Sequence, residues 1–331
     1  MRVLVTGLGN IGTTLSSLLL YYREQLGIDE IVALKRTNTG WGASNHTPLI
    51  DRGLILFPYA GEFEAQARRA DYVFETTANG VGMRMRPFYA NLDNLRGVSA
   101  QGSETGFGLP FMSGINDSAV LGERYVQVVS CNTHGAAALL HGLSGGDLSS
   151  INHADMVVVR RSEDLGQHQR LVSGNVVSRH VDLSSGTHHG VDVKRLLATI
   201  GAEAPIITSD ITTPSQLLHS IRFMIEFNCP LTEDVVHKRI SETNLLASTH
   251  KFDSNVIFEQ GRRYGHAGRI YSPAIVVSNN MLIDENTVRG WAFVPQEGNT
   301  LLSTIHAFIL QTRGDEAVMK TIVSDLTRTM W

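Results

Sequence analysis

A short apolar strand, a glycine-rich turn and a helix open the chain, and this order constrains the fold more than any other feature. The strand pattern runs from Arg2 to Thr6, the turn is Gly7-Leu8-Gly9-Asn10-Ile11-Gly12, and an apolar helical stretch follows from Leu15 to Tyr22. The first glycine permits a tight turn, the second lets a pyrophosphate approach the backbone, and the third lets helix and strand pack closely. The pattern predicts a dinucleotide site, with a nucleotide-free flavodoxin-like turn as the alternative. The predicted contacts are Gly7, Gly9, Asn10, Ile11 and Gly12.

The end of the next predicted strand, Glu30 to Leu34, bears on the choice of cofactor. A strict NAD binder usually has an acidic residue there, which binds the ribose 2′-hydroxyl. Lys35, Arg36 and Thr37 stand there instead. Two cations and a hydroxyl suit a 2′-phosphate, so the sequence favours NADP, or both NADP and NAD. The alternative is a solvated strand end.

Further strand patterns complete the first half of the chain as a doubly wound parallel sheet. They lie at 71–77, 98–102 and 125–130. Gly102 and the loop from Ala78 to Gly82 follow strands at their carboxyl ends, where such sheets bind a cofactor. We therefore expect a Rossmann domain over residues 1–131.

The second half no longer alternates strands and helices regularly. Strand patterns lie at 156–160, 206–209 and 275–278, and helical patterns at 132–143, 215–227 and 231–242. This arrangement predicts an α+β catalytic domain with a mixed or antiparallel sheet over residues 132–298. Residues 299–331 are expected to be mostly helical and to pack back on the first domain. The predicted fold class is thus α/β with an added α+β domain.

Cys131 occupies a position at which a thiol is activated. It ends the strand pattern at 125–130 and opens the helical pattern at 132–143. The first N–H groups of a helix have no partner within it and lie at the positive end of its dipole, so both effects favour the thiolate. The sequence predicts a nucleophile, with a buried small apolar residue as the alternative.

Histidines and arginines in the second half are candidates for the chemistry around this thiol. Arg160-Arg161 ends an apolar strand and supplies a paired cation. His188-His189 before Gly190 is predicted in a loop, where an anion is more plausible than a metal, because no Cys, Asp or Glu stands at convincing ligand spacing. We therefore expect no metal. Three histidines are candidate bases, and only their positions in space decide among them: His134, His153 and His219.

Composition and charge exclude several classes of protein. The 331 residues exceed one ordinary core, and 42% hydrophobic with 18% charged residues are globular values. The net charge of −4, with Lys and Arg scattered, gives neither a nucleic-acid footprint nor a polybasic membrane patch. Two cysteines, Cys131 and Cys229, cannot form a disulfide framework, and no apolar run reaches the roughly 18 residues of a membrane span. We expect a cytoplasmic protein with no nucleic-acid or membrane partner.

Taken together, these motifs resemble the archaeal-type (type II) glyceraldehyde-3-phosphate dehydrogenases along the whole chain. A Ser-Cys-Asn-Thr sequence combined with an Arg-Arg strand and a His-His-Gly loop is far more specific than any one of them. Beyond the glycine motif, the matching segments are Tyr125 to Gly135, Val159 to Arg161, Ser185 to Gly190, Leu217 to His219 and Val294 to Glu297.

The resemblance implies a phosphorylating NAD(P)-dependent aldehyde dehydrogenase that acts through a cysteine thioester. Cys131 matches the family's nucleophile, and His219 matches the histidine proposed as its base. Lys35 matches a lysine in a family that often uses NADP or both cofactors, and Gln296 and Glu297 match the segment beside the nicotinamide. Members are usually homotetramers. Four positions match groups around the substrate phosphate or the attacking inorganic phosphate: Thr133, Arg161, His188 and His189.

A few positions depart from the family pattern. His134 stands where the family usually has a second threonine, one helical turn from Cys131. Pro295 and Gly298 replace a histidine and a serine, and Asn299 is the candidate to replace a missing asparagine. These departures leave two alternatives. One is a paralogue for another phosphorylated aldehyde, a semialdehyde or an acyl phosphate, and the other is a non-catalytic dinucleotide-binding sensor.

Overall fold

The computed structural model describes residues 1–36, 46–102, 104–163, 173–215, 217–295 and 297–327. Thr37 and Gln296, both predicted to contact the cofactor, lie outside the described residues. None of the helices in the described part combines the length and the apolar composition that a membrane crossing requires.

The first sheet is parallel throughout its described pairs. Its strands are β1 (Arg2–Val5), β2 (Glu30–Lys35), β3 (Leu54–Pro58), β4 (Tyr72–Glu75), β5 (Gly97–Gln101), β6 (Leu109–Phe111) and β7 (Tyr125–Val128). They lie in the order β3-β2-β1-β4-β5-β7-β6. The helices among them are α1 (Asn10–Tyr21), α2 (Thr47–Ile50), α3 (Tyr59–Arg68) and α4 (Val81–Ala90). The predicted doubly wound sheet is confirmed.

The strand order reverses between β1 and β4, and hydrogen bonds join the loops that follow these two strands. The Gly7 N–H donates to Thr76 Oγ1 at 3.1 Å, and the Thr76 hydroxyl donates to the Gly7 carbonyl at 2.8 Å. A reversal of this kind opens the crevice in which doubly wound sheets bind their ligands. The predicted glycine motif thus lies at the switch point of the sheet.

The second sheet is mixed. Its strands are β8 (Ile151–Arg160), β9 (Val176–Val177), β10 (Ile206–Thr212), β11 (His219–Phe227), β12 (Leu246–Thr249), β13 (Ala274–Val277), β14 (Leu282–Asp284) and β15 (Thr287–Val294). Seven lie in the order β12-β13-β15-β11-β8-β10-β9, and β14 pairs with β15. Pairs β8–β10 and β12–β13 are parallel, and the others are antiparallel. The predicted mixed sheet is confirmed. The later helices are α5 (Cys131–Ser144), α6 (His188–Ala198), α7 (Glu233–Glu242), α8 (Ser254–Tyr264), α9 (Gly298–Thr312) and α10 (Glu316–Thr327).

Two local predictions in the second half are wrong. Residues 215–227 were expected to be helical, but His219–Phe227 is a strand between β8 and β15. Its buried and half-buried residues alternate with a period of two, which fits a pleated strand, whereas the apolar residues of this segment also fit a helical period. The double histidine was expected in a loop, but Thr187 is the N-cap of α6 and both histidines lie in its first turn.

The described residues form two compact units. One contains residues 1–113, 117–128 and 301–323, and the other contains residues 114–116, 129–300 and those from 324 onward. The domain boundaries predicted from the sequence stay predictions, because compactness alone does not show that a unit folds independently.

We expect Gly12→Ala to lower the melting temperature of the protein. A Cβ at Gly12 would lie 1.8 Å from the Gly7 carbonyl oxygen, so α1 would have to move away from β1. Overpacking of this kind costs about 1–3 kcal/mol. Thermal unfolding followed by circular dichroism measures the change. Gly9→Ala is the matched control, because nothing lies within 4 Å of its added Cβ. Equal melting temperatures for the two variants would contradict the packing role of Gly12.

Candidate active site

The glycine loop of the first unit fits a dinucleotide pyrophosphate. Gly9 is the N-cap of α1, no side chain caps this helix, and no acidic residue stands in its first turn. A Cβ at Gly9 would meet none of the described residues within 4 Å, so they leave the backbone open to a ligand there. Unpaired N–H groups at the positive end of a helix dipole bind phosphate. Gly7, Gly9, Asn10, Ile11 and Gly12 remain the predicted contacts.

Three further residues predicted to contact the cofactor lie at the carboxyl ends of other strands in the same sheet: Lys35, Arg36 and Gly102. Lys35 ends β2, and its Nζ lies 2.7 Å from His46 Nε2. Burial lowers the pKa of Lys35. Burial and the charge of Lys35 together lower the pKa of His46. Arg36 is exposed. Gly102 has a left-handed φ of +59°, and its carbonyl accepts a hydrogen bond from Gln127 at 2.8 Å.

Cys131 is the first residue of α5, in the second unit. Its N-cap Ser130 accepts a hydrogen bond from the Thr133 N–H, and no acidic residue stands in the first turn. The half-buried thiol thus lies at the positive helix end without a carboxylate in that turn, which favours the thiolate. Asn299 Nδ2 donates to the Cys131 carbonyl oxygen at 3.2 Å. The candidate replacement for the family's asparagine therefore contacts the backbone of the predicted nucleophile.

The first turn of α5 also contains three buried polar residues, Asn132, Thr133 and His134. The Thr133 hydroxyl lies 2.9 Å from Ser130 Oγ, so Thr133 reinforces the cap, and its phosphate role stays a prediction. His134 Nδ1 lies 3.0 Å from the Ser130 carbonyl, which can only accept, so Nδ1 carries the proton. Burial lowers the pKa of His134 to about 4. His134 is therefore neutral at neutral pH and adds no charge beside Cys131.

Helix α5 covers the sheet face on which His219 lies. A Cβ at Gly135 would come within 3.4 Å of Val294 and Ile221 side-chain atoms. Ile221 and His219 alternate onto the same buried face of β11. The helix that begins at Cys131 therefore packs on the face of the sheet to which the strand beginning at His219 belongs.

Arg161 follows β8 directly and contacts His219 through its backbone. The Arg161 N–H donates to His219 Nδ1 at 3.1 Å, and its guanidinium donates to the Leu217 carbonyl at 3.3 Å. Burial, together with the charges of Arg161 and Arg160, lowers the pKa of His219 to about 3. His153 lies seven residues before Arg160 on β8 and pairs with Glu226, at the opposite end of β11 from His219.

Glu297 is a buried counterion that the sequence did not reveal. Its carboxylate lies 3.9 Å from the Arg161 guanidinium and accepts a hydrogen bond from Arg269 at 2.8 Å. The side chains of Arg161 and Glu297 are 1% and 3% exposed. Glu297 also has a left-handed φ of +68°, which costs a residue with a Cβ about 1–2 kcal/mol. The resemblance placed this segment beside the nicotinamide, whereas the structure shows Glu297 against two arginines.

The next residue, Gly298, explains one of the departures from the family pattern. A Cβ at Gly298 would lie 1.7 Å from the Ile270 carbonyl oxygen. The serine usual in the family does not fit this backbone arrangement. Gly298 therefore lets the start of α9 pass close to the backbone at Ile270. This close approach holds Glu297 against Arg161.

His188 and His189 stack at the start of α6, with ring centroids 3.9 Å apart. His188 is exposed and His189 is buried. Burial, and then the charges of His188, Arg160 and His219, lower the pKa of His189 well below its ordinary value. The His189 ring is therefore neutral at neutral pH and electrostatically coupled to His219.

Asp210, on β10, completes a group that could hold a metal ion. One ligand atom from each of His188, His189 and Asp210 lies within 4.8 Å of the other two. His189 Nε2 lies 3.6 Å from Asp210 Oδ2. Because the imidazole is neutral, this contact is not an ion pair. Arg160 lies 3.7 Å from Asp210 Oδ1 and partly neutralises the carboxylate. One cation, Arg160, stands here against one carboxylate, Asp210, an acidic residue that the sequence did not place near these histidines. The expected absence of a metal stays a prediction.

The structure thus brings several predicted residues into one region of the second unit. Arg161 and His219 share a hydrogen bond, and His189 and His219 interact electrostatically. Asp210 and Glu297 are additional members. Sequence spacing could not find these contacts, because no fixed spacing along the chain links either carboxylate to its partners.

Comparisons with known proteins bear out the resemblance. The chain is 27% identical over 274 residues to the glyceraldehyde-3-phosphate dehydrogenase of Methanothermobacter thermautotrophicus, covering 80% of this chain and 78% of that protein. It is 24% identical to the protein of the same name from Methanosarcina mazei, covering 97% of each. A third, from Saccharolobus islandicus, is 24% identical over 77% of this chain and 74% of its own length. No family model matches the chain.

We expect Glu297→Gln to destabilise the protein strongly. The change leaves the buried Arg161 guanidinium without its counterion, and breaking a buried ion pair costs about 3–5 kcal/mol. Chemical denaturation measures the free energy of unfolding. Glu259→Gln is the matched control, because Glu259 also pairs with two arginines, Arg262 and Arg263, but on the surface. An equal effect of the two substitutions would show that burial of the pair is unimportant.

We expect the free energy of unfolding to fall as the pH drops below neutrality, in part because of His134. Its folded pKa of about 4 is below the ordinary 6.5, so the unfolded chain binds more protons between these values. Stability therefore rises with pH across this window, by up to about 1.4 kcal/mol per pH unit for one group. Denaturation at a series of pH values should give a smaller slope for His134→Asn. The exposed His237→Asn is the control, and an unchanged slope in His134→Asn would contradict the buried neutral state.

Proposed function

We propose that this chain is a phosphorylating, NAD(P)-dependent aldehyde dehydrogenase with glyceraldehyde 3-phosphate as its substrate. The observation that carries the proposal is the position of Cys131, which begins a helix covering the sheet face that also holds His219. The archaeal relatives support the substrate, because they bear the name of this activity over most of the chain. Among the alternatives, a sensor would not require a thiol placed for ionisation.

Cys131 acts as the nucleophile. The positive end of α5 stabilises its thiolate, which forms a C–S bond to the aldehyde carbon. His219 contacts the oxygen that develops negative charge in this step. A bound nicotinamide dinucleotide supplies the hydride acceptor. Phosphate then attacks the Cys131 thioester, which releases an acyl phosphate and restores the thiolate.

The basic residues bind the phosphate groups of the reaction. Arg161 is a guanidinium with the donor geometry for a phosphate, and the neutral ring of His189 donates a single N–H group. His188 and Thr133 are assigned to the same phosphates. Two anions are needed, because the substrate and the attacking phosphate are both charged. A set that combines Arg161 with neutral donors binds them without accumulating excess positive charge.

NADP is the proposed cofactor, and NAD is a possible second one. Gly7, Gly9 and Gly12 lie in the loop proposed to hold the pyrophosphate, and Lys35 with Arg36 would face a ribose 2′-phosphate. No acidic residue stands at the end of β2 to bind a 2′-hydroxyl. We assign Thr37, Gly102 and Gln296 to the same cofactor, together with Asn10 and Ile11.

The assembly and compartment follow from the resemblance and from cysteine usage. We propose a homotetramer, the usual state of the family, which light scattering would measure. Neither Cys131 nor Cys229 is in a disulfide, which suits a reducing cytoplasm.

An absorbance assay of reduced nicotinamide tests the activity directly. The protein is mixed with glyceraldehyde 3-phosphate, inorganic phosphate and either NADP or NAD. We expect phosphate-dependent turnover that is faster with NADP. Turnover only with another aldehyde would favour the paralogue, and no turnover with any aldehyde of a panel would favour the sensor.

Cys131→Ser is expected to lower kcat by about 10³-fold or more, because an alcohol is not ionised at neutral pH. The exposed Cys229→Ser is the matched control and should keep the wild-type rate. Iodoacetamide should inactivate the wild type and the control at the same rate. Inactivation that depends on Cys229 would contradict the assignment of the nucleophile.

A further inference from the structure

A buried imidazole and a buried carboxylate oxygen meet between α6 and β10 in the second unit. His189 lies in the first turn of α6 and Asp210 lies on β10, and each is 2% exposed. None of the described residues hydrogen-bonds to either ring nitrogen of His189 or to Asp210 Oδ2. Nε2 and Oδ2 are 3.6 Å apart, which is too far for a hydrogen bond. Because unpaired buried polar atoms destabilise a fold, these atoms indicate a ligand that both a nitrogen and a carboxylate oxygen accept.

The separation of the two atoms fits a metal ion between them. A tetrahedral ion with bonds of about 2.0–2.1 Å places its ligand atoms about 3.3 Å apart. The 3.6 Å between His189 Nε2 and Asp210 Oδ2 is close to this value. His188 offers a third ligand atom within 4.8 Å of the other two, and its exposed side chain can turn toward them. Three protein ligands leave the fourth position of the tetrahedron open.

Hydrogen bonds to Thr208 hold the histidine pair beside β10. Thr208 lies two residues before Asp210, on the same buried face of the strand. Its carbonyl accepts from the Thr187 N–H at 2.9 Å, and its hydroxyl accepts from the Gly190 N–H at 2.9 Å. Thr187 and Gly190 flank the two histidines along the chain. One strand residue therefore fixes both ends of the histidine pair relative to Asp210, which gives the ligand set a rigid support.

Asp210 is oriented through its other carboxylate oxygen. The Ser178 hydroxyl donates to Oδ1, and the Arg160 guanidinium lies 3.7 Å from the same oxygen. Carboxylates that bind metals are commonly held by hydrogen bonds of this kind. Both contacts leave Oδ2 to His189.

The charges near the histidines balance. Arg160 interacts with Asp210, and its side chain is 33% exposed. Asp192, one turn after His188 on α6, interacts electrostatically with His188 and with Arg195. Two carboxylates thus stand against two guanidiniums, and no excess of positive charge repels a cation.

We propose that His188, His189 and Asp210 form a binding site for a divalent transition-metal ion of the zinc type. Imidazole nitrogens suit such ions, whereas Mg²⁺ and Ca²⁺ prefer oxygen ligands alone. The sequence predicted no metal because no acidic residue stood at ligand spacing, and β10 supplies that residue through the fold.

The site goes beyond the proposed function, in which the same histidines contact phosphate. A metal ion on Nε2 of His189 leaves the ring proton on Nδ1, so the ring keeps one N–H donor. The open fourth position accepts a water molecule or a phosphate oxygen.

Metal binding is measured on the full-length protein without turnover. The chelator-treated protein is titrated with Co²⁺ and followed by absorbance, and its Zn²⁺ content is measured by equilibrium dialysis. We expect the visible bands of a nitrogen–oxygen site without an ultraviolet thiolate band, and no retention of Mg²⁺. Failure to bind Co²⁺ and Zn²⁺ would overturn the proposal. So would a thiolate band that disappears in Cys131→Ser or Cys229→Ser, because it would place the metal at a cysteine.

Substitution of the ligands locates the ion. We expect His188→Ala and Asp210→Asn each to weaken Co²⁺ binding by about 10²-fold or more, since each removes one of three ligands. His237→Ala and Asp234→Asn, exposed positions on α7, are the matched controls and should bind as the wild type does. Wild-type affinity in His188→Ala and Asp210→Asn would refute the site.

Asp210→Asn also separates a cation site from an anion site. Loss of the carboxylate should weaken Co²⁺ binding but strengthen the binding of inorganic phosphate, which calorimetry measures. Tighter phosphate binding with unchanged Co²⁺ affinity would show that the histidines bind only anions. If Asp210→Asn does not fold, as judged by circular dichroism, His188→Ala decides, because His188 is exposed. A wild-type protein without turnover would reject the proposed function and leave the metal measurement unaffected.

Discussion

The candidate active site depends on the burial of Arg161. A guanidinium 1% exposed to solvent is tolerated only when its charge and its donors are matched. Glu297 supplies the charge, the Leu217 carbonyl accepts from one amino group, and the backbone N–H binds His219. His219 begins β11, Leu217 lies just before it, and Glu297 lies before α9, so these contacts join β8 to two distant parts of the chain.

The same constraint explains why the backbone before α9 is unusual. Glu297 adopts a left-handed conformation, and Gly298 passes so close to Ile270 that a Cβ would not fit. Strain of this kind persists where neighbouring contacts fix the conformation, and here they hold a carboxylate against two arginines. Asn299 then contacts the Cys131 backbone. Two departures from the family pattern, Gly298 and Asn299, therefore serve one local arrangement.

Local signals predicted the parts of the fold that depend on neighbouring residues. The spacing of Gly7, Gly9 and Gly12 predicted the switch-point loop, and the change of pattern at Cys131 predicted the start of α5. The strand that begins at His219 was missed, because its apolar residues fit a period of 3.6 as well as one of two, and only pairing with β8 and β15 decides between them. The contacts of Asp210 and Glu297 were missed for a related reason. Their partners are set by sheet order, and no fixed spacing along the chain encodes that order.

Burial also determines how the histidines can contribute. His134, His189 and His219 all have lowered pKa values, and burial is the largest cause for each of them. Charged imidazoles beside Arg160 and Arg161 would repel one another and would bind anions without distinguishing them. Neutral rings leave the fixed charge to the arginines, and backbone contacts set the tautomer of two of the rings. His134 Nδ1 donates to the carbonyl of its helix N-cap, and His219 Nδ1 accepts from the Arg161 N–H. In the proposed function, the arginines would supply the charge that attracts an anion, and the neutral histidines would supply hydrogen-bond donors without adding charge.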